Sequence, residues 1–245
     1  MLNEIILAVI QAVTEFLPIS SSGHLALFST LLASHKGDVF FFSVLHLASL
    51  LAVLIFTRQE ITELLSFDEK YRKMWIYLII ATIPAVIFGL VFNKFIEQAF
   101  TSLLFVGGGF LFTGIILFLT KFSRERTEIN WKNSLVTGLF QVFALFPGVS
   151  RSGITISSSL FQGIEREKAA KFSFLLFIPL AIGAFVLEFG TFAFSFTLLI
   201  SFLITLVLSL IFLNLLLMIV KSGRLWVFSI YCFIIGVISL SLYFV

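Results

Sequence analysis

Two short polar segments interrupt an otherwise strongly apolar chain, and they hold the residues that could do chemistry. The first, residues 11–24, contains a carboxylate, three consecutive serines and a histidine, and the second, residues 141–155, contains an arginine flanked by serines. A hydroxyl near a carboxylate or an imidazole suits nucleophilic chemistry, and arginine binds phosphate oxygens through two parallel hydrogen bonds. This combination suits phosphoryl transfer on an oxyanion-rich substrate better than it suits a sodium or proton pathway.

An internal repeat relates the two segments. When the chain is shifted by 130 positions, residues of the same type coincide in both segments and again further along. We therefore interpret the segments as two halves of one site. The coincident pairs are Gln11 with Gln141, Phe16 with Phe146, Ser20 with Ser150, Ser22 with Ser152, Gly23 with Gly153, and Phe42-Ser43 with Phe172-Ser173.

The composition predicts a helical protein that crosses a membrane several times. Of the 245 residues, 60% are hydrophobic and 12% are charged, against about 45–50% and about 25% in soluble domains. The single cysteine, Cys232, lies in an apolar run, which excludes a disulfide framework or a cysteine metal cluster. The basic residues occupy short loops between apolar segments, so binding of nucleic acid is not expected.

Six segments are long and apolar enough to span a bilayer, which requires roughly 20 residues. Two further apolar regions, 2–33 and 134–163, are each broken in the middle by a proline that precedes a serine- and glycine-rich turn. The pieces on either side are too short to cross alone, so we predict two re-entrant helical hairpins with apices buried in the bundle. The predicted spans are 39–57, 74–93, 101–120, 172–190, 195–219 and 226–245.

The basic residues predict the orientation of the chain. When the loops between successive predicted spans are assigned to alternate sides of the membrane, thirteen basic residues lie on one side and two on the other. This is a strong positive-inside signal. Both termini and the mouth of the first hairpin should face outward, and the second hairpin should enter from the cytoplasm. The thirteen are Arg58, Lys70, Arg72, Lys73, Lys121, Arg124, Arg126, Lys132, Arg166, Lys168, Lys171, Lys221 and Arg224; the two are Lys36 and Lys94.

This topology makes the second repeat an inverted copy of the first. Each repeat holds one hairpin and three spans, and an odd number of crossings turns the next repeat upside down. The expected fold is thus all-α: one membrane domain over 1–245, with repeat 1 at about 1–122 and repeat 2 at about 131–245. Inverted repeats with broken helices are typical of transporters, so transport is one functional hypothesis.

Glu15 is the strongest single candidate for function. A charge at the centre of a bilayer costs about 2.5–3.5 kcal/mol on insertion scales, so carboxylates there usually have a role. The alternative is that Glu15 pairs with Arg151 only to hold the hairpins together. Gln11, four residues earlier on the same helical face, could orient the carboxylate, share a ligand or serve as helix–helix contact.

The serine clusters begin the second half of each hairpin, where free N–H groups favour anions. Ser20, Ser21, Ser22 and Gly23 form the first cluster, in which one serine could be a nucleophile and at least one is expected to be only a cap. His24 is expected beside Glu15 and Arg151. The second cluster comprises Ser150, Arg151, Ser152 and Thr155. Four polar residues without a surrounding motif are expected to have packing roles: His46, Asn93, Glu188 and Asn214.

These motifs resemble those of the undecaprenyl-diphosphate phosphatases of the bacitracin-resistance type, over essentially the whole chain. The resemblance implies removal of the terminal phosphate from a C55 polyprenyl diphosphate, a divalent cation such as Mg²⁺ or Ca²⁺, and a site on the outer side of the bacterial inner membrane. The motifs are Gln11-x-x-x-Glu15, Pro18-x-Ser20-Ser21-x-Gly23-His24 and Pro147-Gly148-x-Ser150-Arg151-Ser152-x-x-Thr155.

The resemblance also implies roles for individual residues. Glu15 is expected to be the catalytic carboxylate, Ser21 the nucleophile, His24 an acid–base or phosphate partner, and Arg151 the phosphate clamp. Many members have glutamate where this chain has Gln11, so a metal site of two carboxylates is not expected, and Glu15 remains the main ligand with Gln11 as an auxiliary. The expected function is a lipid diphosphate phosphatase; the alternative is a transporter or flippase of the lipid phosphate. A homodimer is left open.

Overall fold

The computed structural model describes residues 2–31, 39–66, 69–125, 127–188 and 195–244. Within these ranges the chain forms helices and no extended strand, which confirms the all-α prediction. The helices are α1 Leu2–Phe16, α2 Ser21–Leu31, α3 Val39–Phe56, α4 Arg58–Leu65, α5 Glu69–Val91, α6 Asn93–Phe100, α7 Leu103–Leu119, α8 Trp131–Gln141, α9 Arg151–Phe161, α10 Arg166–Glu188, α11 Phe196–Lys221 and α12 Phe228–Tyr243.

Five helical stretches of the described residues are long and apolar enough to cross a membrane, and they lie in α5, α7, α10, α11 and α12. A sixth span is formed if α3 and α4, which are bent by 71° at Thr57, are taken together. The prediction of a multi-pass membrane protein is therefore confirmed, with five to six spans. The short helices α4 and α6 were not predicted, because the prediction rested on apolar segments of roughly 20 residues and each of these helices has eight.

Each of the two interrupted regions forms a pair of short helices that pack against each other. In the first region α1 ends at Phe16, two residues before Pro18, as predicted. In the second region the α-helix ends earlier than predicted: α8 stops at Gln141 and a 3₁₀ turn over Val142–Leu145 precedes Pro147. A 3₁₀ turn is tighter and brings the chain to the apex with fewer residues than an α-helical turn.

The repeated serines have the same hydrogen bonds in both apices. The Ser20 Oγ accepts a hydrogen bond from the Gly23 N–H at 3.2 Å, and the Ser150 Oγ accepts one from the Gly153 N–H at 3.1 Å. Each serine therefore caps the helix that follows. The two turns differ in the backbone, since Ser20 has a φ of 67° and Ser150 a φ of −78°.

The two halves of the chain are intertwined. The helix α1 packs against α11, and α8, its counterpart after the shift of 130 positions, packs against α5. The helix α3 contacts α10 and α11, while α10 contacts α3 and α5. Finally, α7 packs along α12. Each hairpin is thus held mainly by spans of the other half of the chain.

The loops predicted to share one face of the membrane are joined by ion pairs. The Lys171 Nζ lies 2.9 Å from the Glu60 Oε1, and the Lys221 Nζ lies 2.6 Å from the Glu167 Oε2. Arg166 pairs with Glu125, and Lys168 lies 2.6 Å from Glu128. These pairs connect α4, the segment after α7, the start of α10 and the end of α11, so all of these elements lie at the same end of the bundle.

Glycines allow the apex of the second hairpin to lie directly on α7. A Cβ atom at Gly109 would be 2.2 Å from the carbonyl oxygen of Pro147. Gly148 has a φ of +85°, a conformation that favours glycine, and a Cβ atom there would be 2.1 Å from the Val106 carbonyl oxygen. The neighbouring Gly108 has open space around its Cβ position. The backbone contact at Gly109 therefore sets the depth of the apex.

We expect Gly109→Ala to lower the thermal stability of the detergent-solubilised protein by several degrees or to prevent folding, because the clash is with backbone atoms. Gly108→Ala is the matched control on the same helix. It should be neutral or slightly stabilising, because alanine is about 1 kcal/mol more favourable than glycine inside a helix. Equal melting temperatures for the two variants would show that the apex does not depend on this contact.

Candidate active site

The carboxylate of Glu15 is the centre of a buried hydrogen-bond cluster. Its Oε2 accepts hydrogen bonds from the Ser21 Oγ at 2.6 Å and from the Gln11 Nε2 at 2.9 Å. Its Oε1 accepts one from the Arg151 Nη2 at 2.8 Å. Gln11 and Glu15 lie one turn apart on α1, Ser21 begins α2 and Arg151 begins α9. The two hairpins therefore meet at this carboxylate, as the sequence predicts.

Ser21 and Arg151 occupy equivalent positions under the shift of 130 residues, and each is the first residue of its helix. Two helix N-termini, each with a partial positive charge, therefore point toward one region. The guanidinium carbon of Arg151 also lies 3.9 Å from the centre of the Phe177 ring, which supports it from the other side. Because guanidinium has five donors, Arg151 can bind Glu15 and still donate to an oxyanion.

The Ser21–Glu15 contact has the geometry of a nucleophile beside its base. A separation of 2.6 Å is within the range for an O–H···O⁻ hydrogen bond. Glu15 is 8% exposed and Ser21 9% exposed, so little bulk water competes for either group. This arrangement can activate the hydroxyl for attack on an electrophile such as phosphorus.

His24 lies elsewhere in the apex and has both ring nitrogens engaged. Its Nδ1 is 2.7 Å from the Ser20 carbonyl oxygen, which can only accept, so Nδ1 carries the proton. Its Nε2 accepts from the Tyr231 hydroxyl at 2.7 Å. The ring is 2% exposed and stacks on the Tyr231 ring. The hydrogen bonds of His24 are thus with Ser20 and Tyr231. The expectation that His24 acts directly beside Glu15 and Arg151 is therefore not met by these contacts.

The hydroxyls predicted to bind phosphate are mostly engaged with backbone. Ser20 and Ser150 cap their helices, as described above. The Ser152 Oγ donates to the Phe16 carbonyl at 2.9 Å, and the Thr155 Oγ1 donates to the Arg151 carbonyl at 2.9 Å. Ser22 is half-buried. Gly23 allows the two apices to touch, since a Cβ atom there would be 2.7 Å from the Gly148 Cα.

Sequence reasoning missed His46. Its Nε2 lies 3.6 Å from the Glu15 Oε2, and its side chain is 34% exposed. A packing role was expected because His46 has no motif around it. An ionisable residue inside a predicted span is itself a signal of function, and His46 lies one turn after the repeated pair Phe42-Ser43. Phe177 and Tyr231, which support Arg151 and His24, have no such signal.

The site has some of the groups that a divalent cation needs. In the described residues no cluster of three or more His, Cys, Asp or Glu side chains could hold a metal. Glu15 contributes a carboxylate, and the Gln11 Oε1 is a buried oxygen to which no described residue donates a hydrogen bond. Mg²⁺ is often held by one or two carboxylates together with the phosphates of a substrate, and these two groups fit that mode.

The fold and the site define an integral membrane protein whose polar centre is built from two interrupted helical hairpins. A family profile described as bacitracin resistance protein BacA matches residues 4–238. The chain belongs to this family.

Curated relatives match along almost their whole length. The undecaprenyl-diphosphatase of Thermosipho africanus is 42% identical over 245 residues, which cover 97% of this chain and 98% of the relative. The undecaprenyl-diphosphatase of Methanococcus maripaludis strain C5 is 40% identical, and the match covers 95% of this chain and 96% of the relative. That of Korarchaeum cryptofilum is 36% identical and covers 97% of each chain.

We expect Arg151→Met to lower the free energy of unfolding by about 3–5 kcal/mol, because it leaves a buried carboxylate without its cation. Adding Glu15→Gln should restore part of this loss, since the remaining group is then neutral. Denaturation in mixed micelles, followed by circular dichroism, measures both. The control is Arg166→Met at the partly exposed pair with Glu125, which should cost about 0–1 kcal/mol. A double variant no more stable than Arg151→Met would contradict the expectation.

Proposed function

We propose that this protein removes the terminal phosphate of undecaprenyl diphosphate and releases the lipid monophosphate that serves as a carrier in cell-wall synthesis. The observation that carries the proposal is the contact of Ser21 and Arg151 with the single carboxylate of Glu15 at two facing helix N-termini. The names of relatives at 36–42% identity support the same reaction. They also favour a phosphatase over a flippase that does not hydrolyse its lipid.

The reaction proceeds in two displacements. The Ser21 Oγ attacks the terminal phosphorus while its proton passes to the Glu15 Oε2, and the bond from phosphorus to the bridging oxygen breaks. The lipid monophosphate leaves, and Ser21 carries the phosphoryl group. Water then attacks this phosphorus, and the bond from phosphorus to the Ser21 Oγ breaks. Glu15 returns its proton to the Ser21 Oγ, and inorganic phosphate leaves with the protons of the water. Arg151 and the two helix N-termini stabilise the charge on the phosphoryl oxygens, which is usually the largest contribution to catalysis.

A divalent cation, Mg²⁺ or Ca²⁺, would be held by Glu15 with Gln11 as the auxiliary ligand. When bound it would neutralise charge on the diphosphate. The residues of the chain orient the substrate in either case: Arg151 binds the phosphoryl oxygens and Glu15 positions the nucleophile. The apolar outer surface of the helices, which includes Ile79, Ile83 and Val207, contacts the hydrocarbon of the bilayer and of the lipid tail.

We also propose that the two halves form an inverted-topology repeat in the cytoplasmic membrane. The exchange of packing partners supports this: α1 lies on α11 and α8 on α5, as expected if a two-fold axis relates the halves. The basic residues favour a cytoplasmic location for the end that carries the ion pairs. The Glu15 site then opens to the outer side, where spent diphosphate carrier has to be recycled.

Phosphate release by the purified protein in detergent, with undecaprenyl diphosphate as substrate, tests the proposed function. An enzyme releases phosphate over many turnovers, with the lipid monophosphate as the second product. A protein that only moves the lipid across the membrane releases none, and that result would overturn the proposal.

In the same assay Ser21→Ala should lower kcat by about 10³-fold or more, as is found when a covalent nucleophile is removed. Ser22→Ala is the matched control: Ser22 is half-buried and does not contact Glu15, so its variant should stay substantially active, and Ser20→Ala should be intermediate. Rapid quenching should trap phosphoserine at position 21. If Ser21→Ala retains most of its turnover, an activated water attacks and Ser21 is only a phosphate ligand.

The orientation predicts that loops 58–73, 121–133 and 164–171 are cytoplasmic and that both termini are outside. In a Cys232→Ser background, Ser123→Cys should resist an impermeant thiol reagent in intact cells and react after the cells are opened. Lys94→Cys, on the opposite side, is the control and should react in intact cells. Labelling of Ser123→Cys in intact cells would reverse the assignment.

A further inference from the structure

His46 presents its ring Nε2 to the site. Its Nδ1 lies 2.9 Å from the Phe42 carbonyl oxygen, one turn earlier in α3. A carbonyl can only accept, so Nδ1 carries the proton and, in the neutral ring, Nε2 carries the lone pair. This use of a backbone carbonyl to fix the tautomer is the usual arrangement of a metal-binding histidine.

In the neutral ring this lone pair faces another acceptor. The Nε2 lies 3.6 Å from the Glu15 Oε2. A charge-assisted hydrogen bond between imidazolium and carboxylate would be shorter, at about 2.7–2.9 Å. Two ligands that are each about 2.0–2.2 Å from one cation are separated by roughly 3–4 Å. The observed separation therefore suits two ligands of one ion better than a direct hydrogen bond.

A third acceptor lies beside the same carboxylate. Gln11 is fully buried, and its Nε2 donates to the Glu15 Oε2 at 2.9 Å. This leaves the Gln11 Oε1 buried and without a hydrogen-bond partner among the residues that the structure describes, an arrangement that is unfavourable unless a cation or water satisfies it. Gln11 and His46 thus both lie against the Glu15 Oε2, at 2.9 Å and 3.6 Å.

We propose that Glu15, His46 and Gln11 form a divalent cation site with one carboxylate oxygen, one imidazole nitrogen and one amide oxygen. The proposal rests on the proposed function, because phosphate oxygens and water would complete the coordination. An imidazole ligand favours first-row transition ions over Ca²⁺, which prefers oxygen ligands alone. The site is therefore expected to bind Mn²⁺ more tightly than Ca²⁺. His46 supplies the second strong ligand in a chain that has Gln11 in place of a carboxylate.

Mn²⁺ binding to the purified protein in detergent, without lipid substrate, tests the proposal. Free Mn²⁺ is counted by electron paramagnetic resonance, and pulsed measurements detect a ¹⁴N nucleus bonded to the ion. We expect a bound ion with one histidine nitrogen coupling, which changes when the protein is made with ¹⁵N-histidine. His46→Gln should lose the coupling and bind Mn²⁺ on the order of 10–100-fold more weakly. The control is His35→Gln, at the remaining histidine of the sequence. This variant should keep both the nitrogen coupling and the affinity for Mn²⁺.

The isotope experiment uses the parent protein, so the proposal can be tested even if His46→Gln does not fold. A parent protein that binds no Mn²⁺, or binds it without a histidine coupling, would overturn the cation site, as would a coupling that persists in His46→Gln. Phosphate release from the same preparation separates the two proposals. Turnover without histidine coupling would overturn only the cation site. Histidine coupling without turnover would overturn only the phosphatase.

Discussion

The structure depends on satisfying backbone groups where two helices are broken inside the bundle, away from water. Side chains of the site do much of this. The Phe16 carbonyl accepts from Ser152, and the Gly148 carbonyl accepts from Thr113 at 3.0 Å. The Ser20 carbonyl accepts from His24. Ser152 of the second hairpin therefore stabilises the break in the first, Thr113 of α7 stabilises the break in the second, and His24 stabilises its own apex.

The polar centre is asymmetric although its scaffold is repeated. Ser21 and Arg151 are equivalent under the shift of 130 residues, and both contact Glu15, whose own equivalent is Leu145. Gln11 and Gln141 are also equivalent, and within the described part of the chain each has a buried Oε1 without a hydrogen-bond partner. A repeated framework thus supplies two helix N-termini, while the carboxylate that both of them meet is present in only one copy.

The sequence predicted what depends on local rules. Proline and the serine clusters located the hairpins. The cost of a charge in the membrane predicted that Glu15 needs a cationic partner, which indicated Arg151. Contacts between distant segments could not be read in this way. His24 is satisfied by Tyr231, 207 residues away, and no local pattern shows which face of α3 brings His46 to Glu15. The proline rule likewise does not give the early end of α8 at Gln141.

The ion pair between Glu15 and Arg151 also constrains the order in which the protein can be assembled. The two residues are 136 positions apart, and a ribosome adds about 5–20 residues per second. Glu15 is therefore made roughly 7–27 s before its partner at that rate. During this interval the carboxylate has no arginine, and its entry into hydrocarbon costs about 2.5–3.5 kcal/mol. The first hairpin to be synthesised should consequently reach its final depth only when the second hairpin arrives.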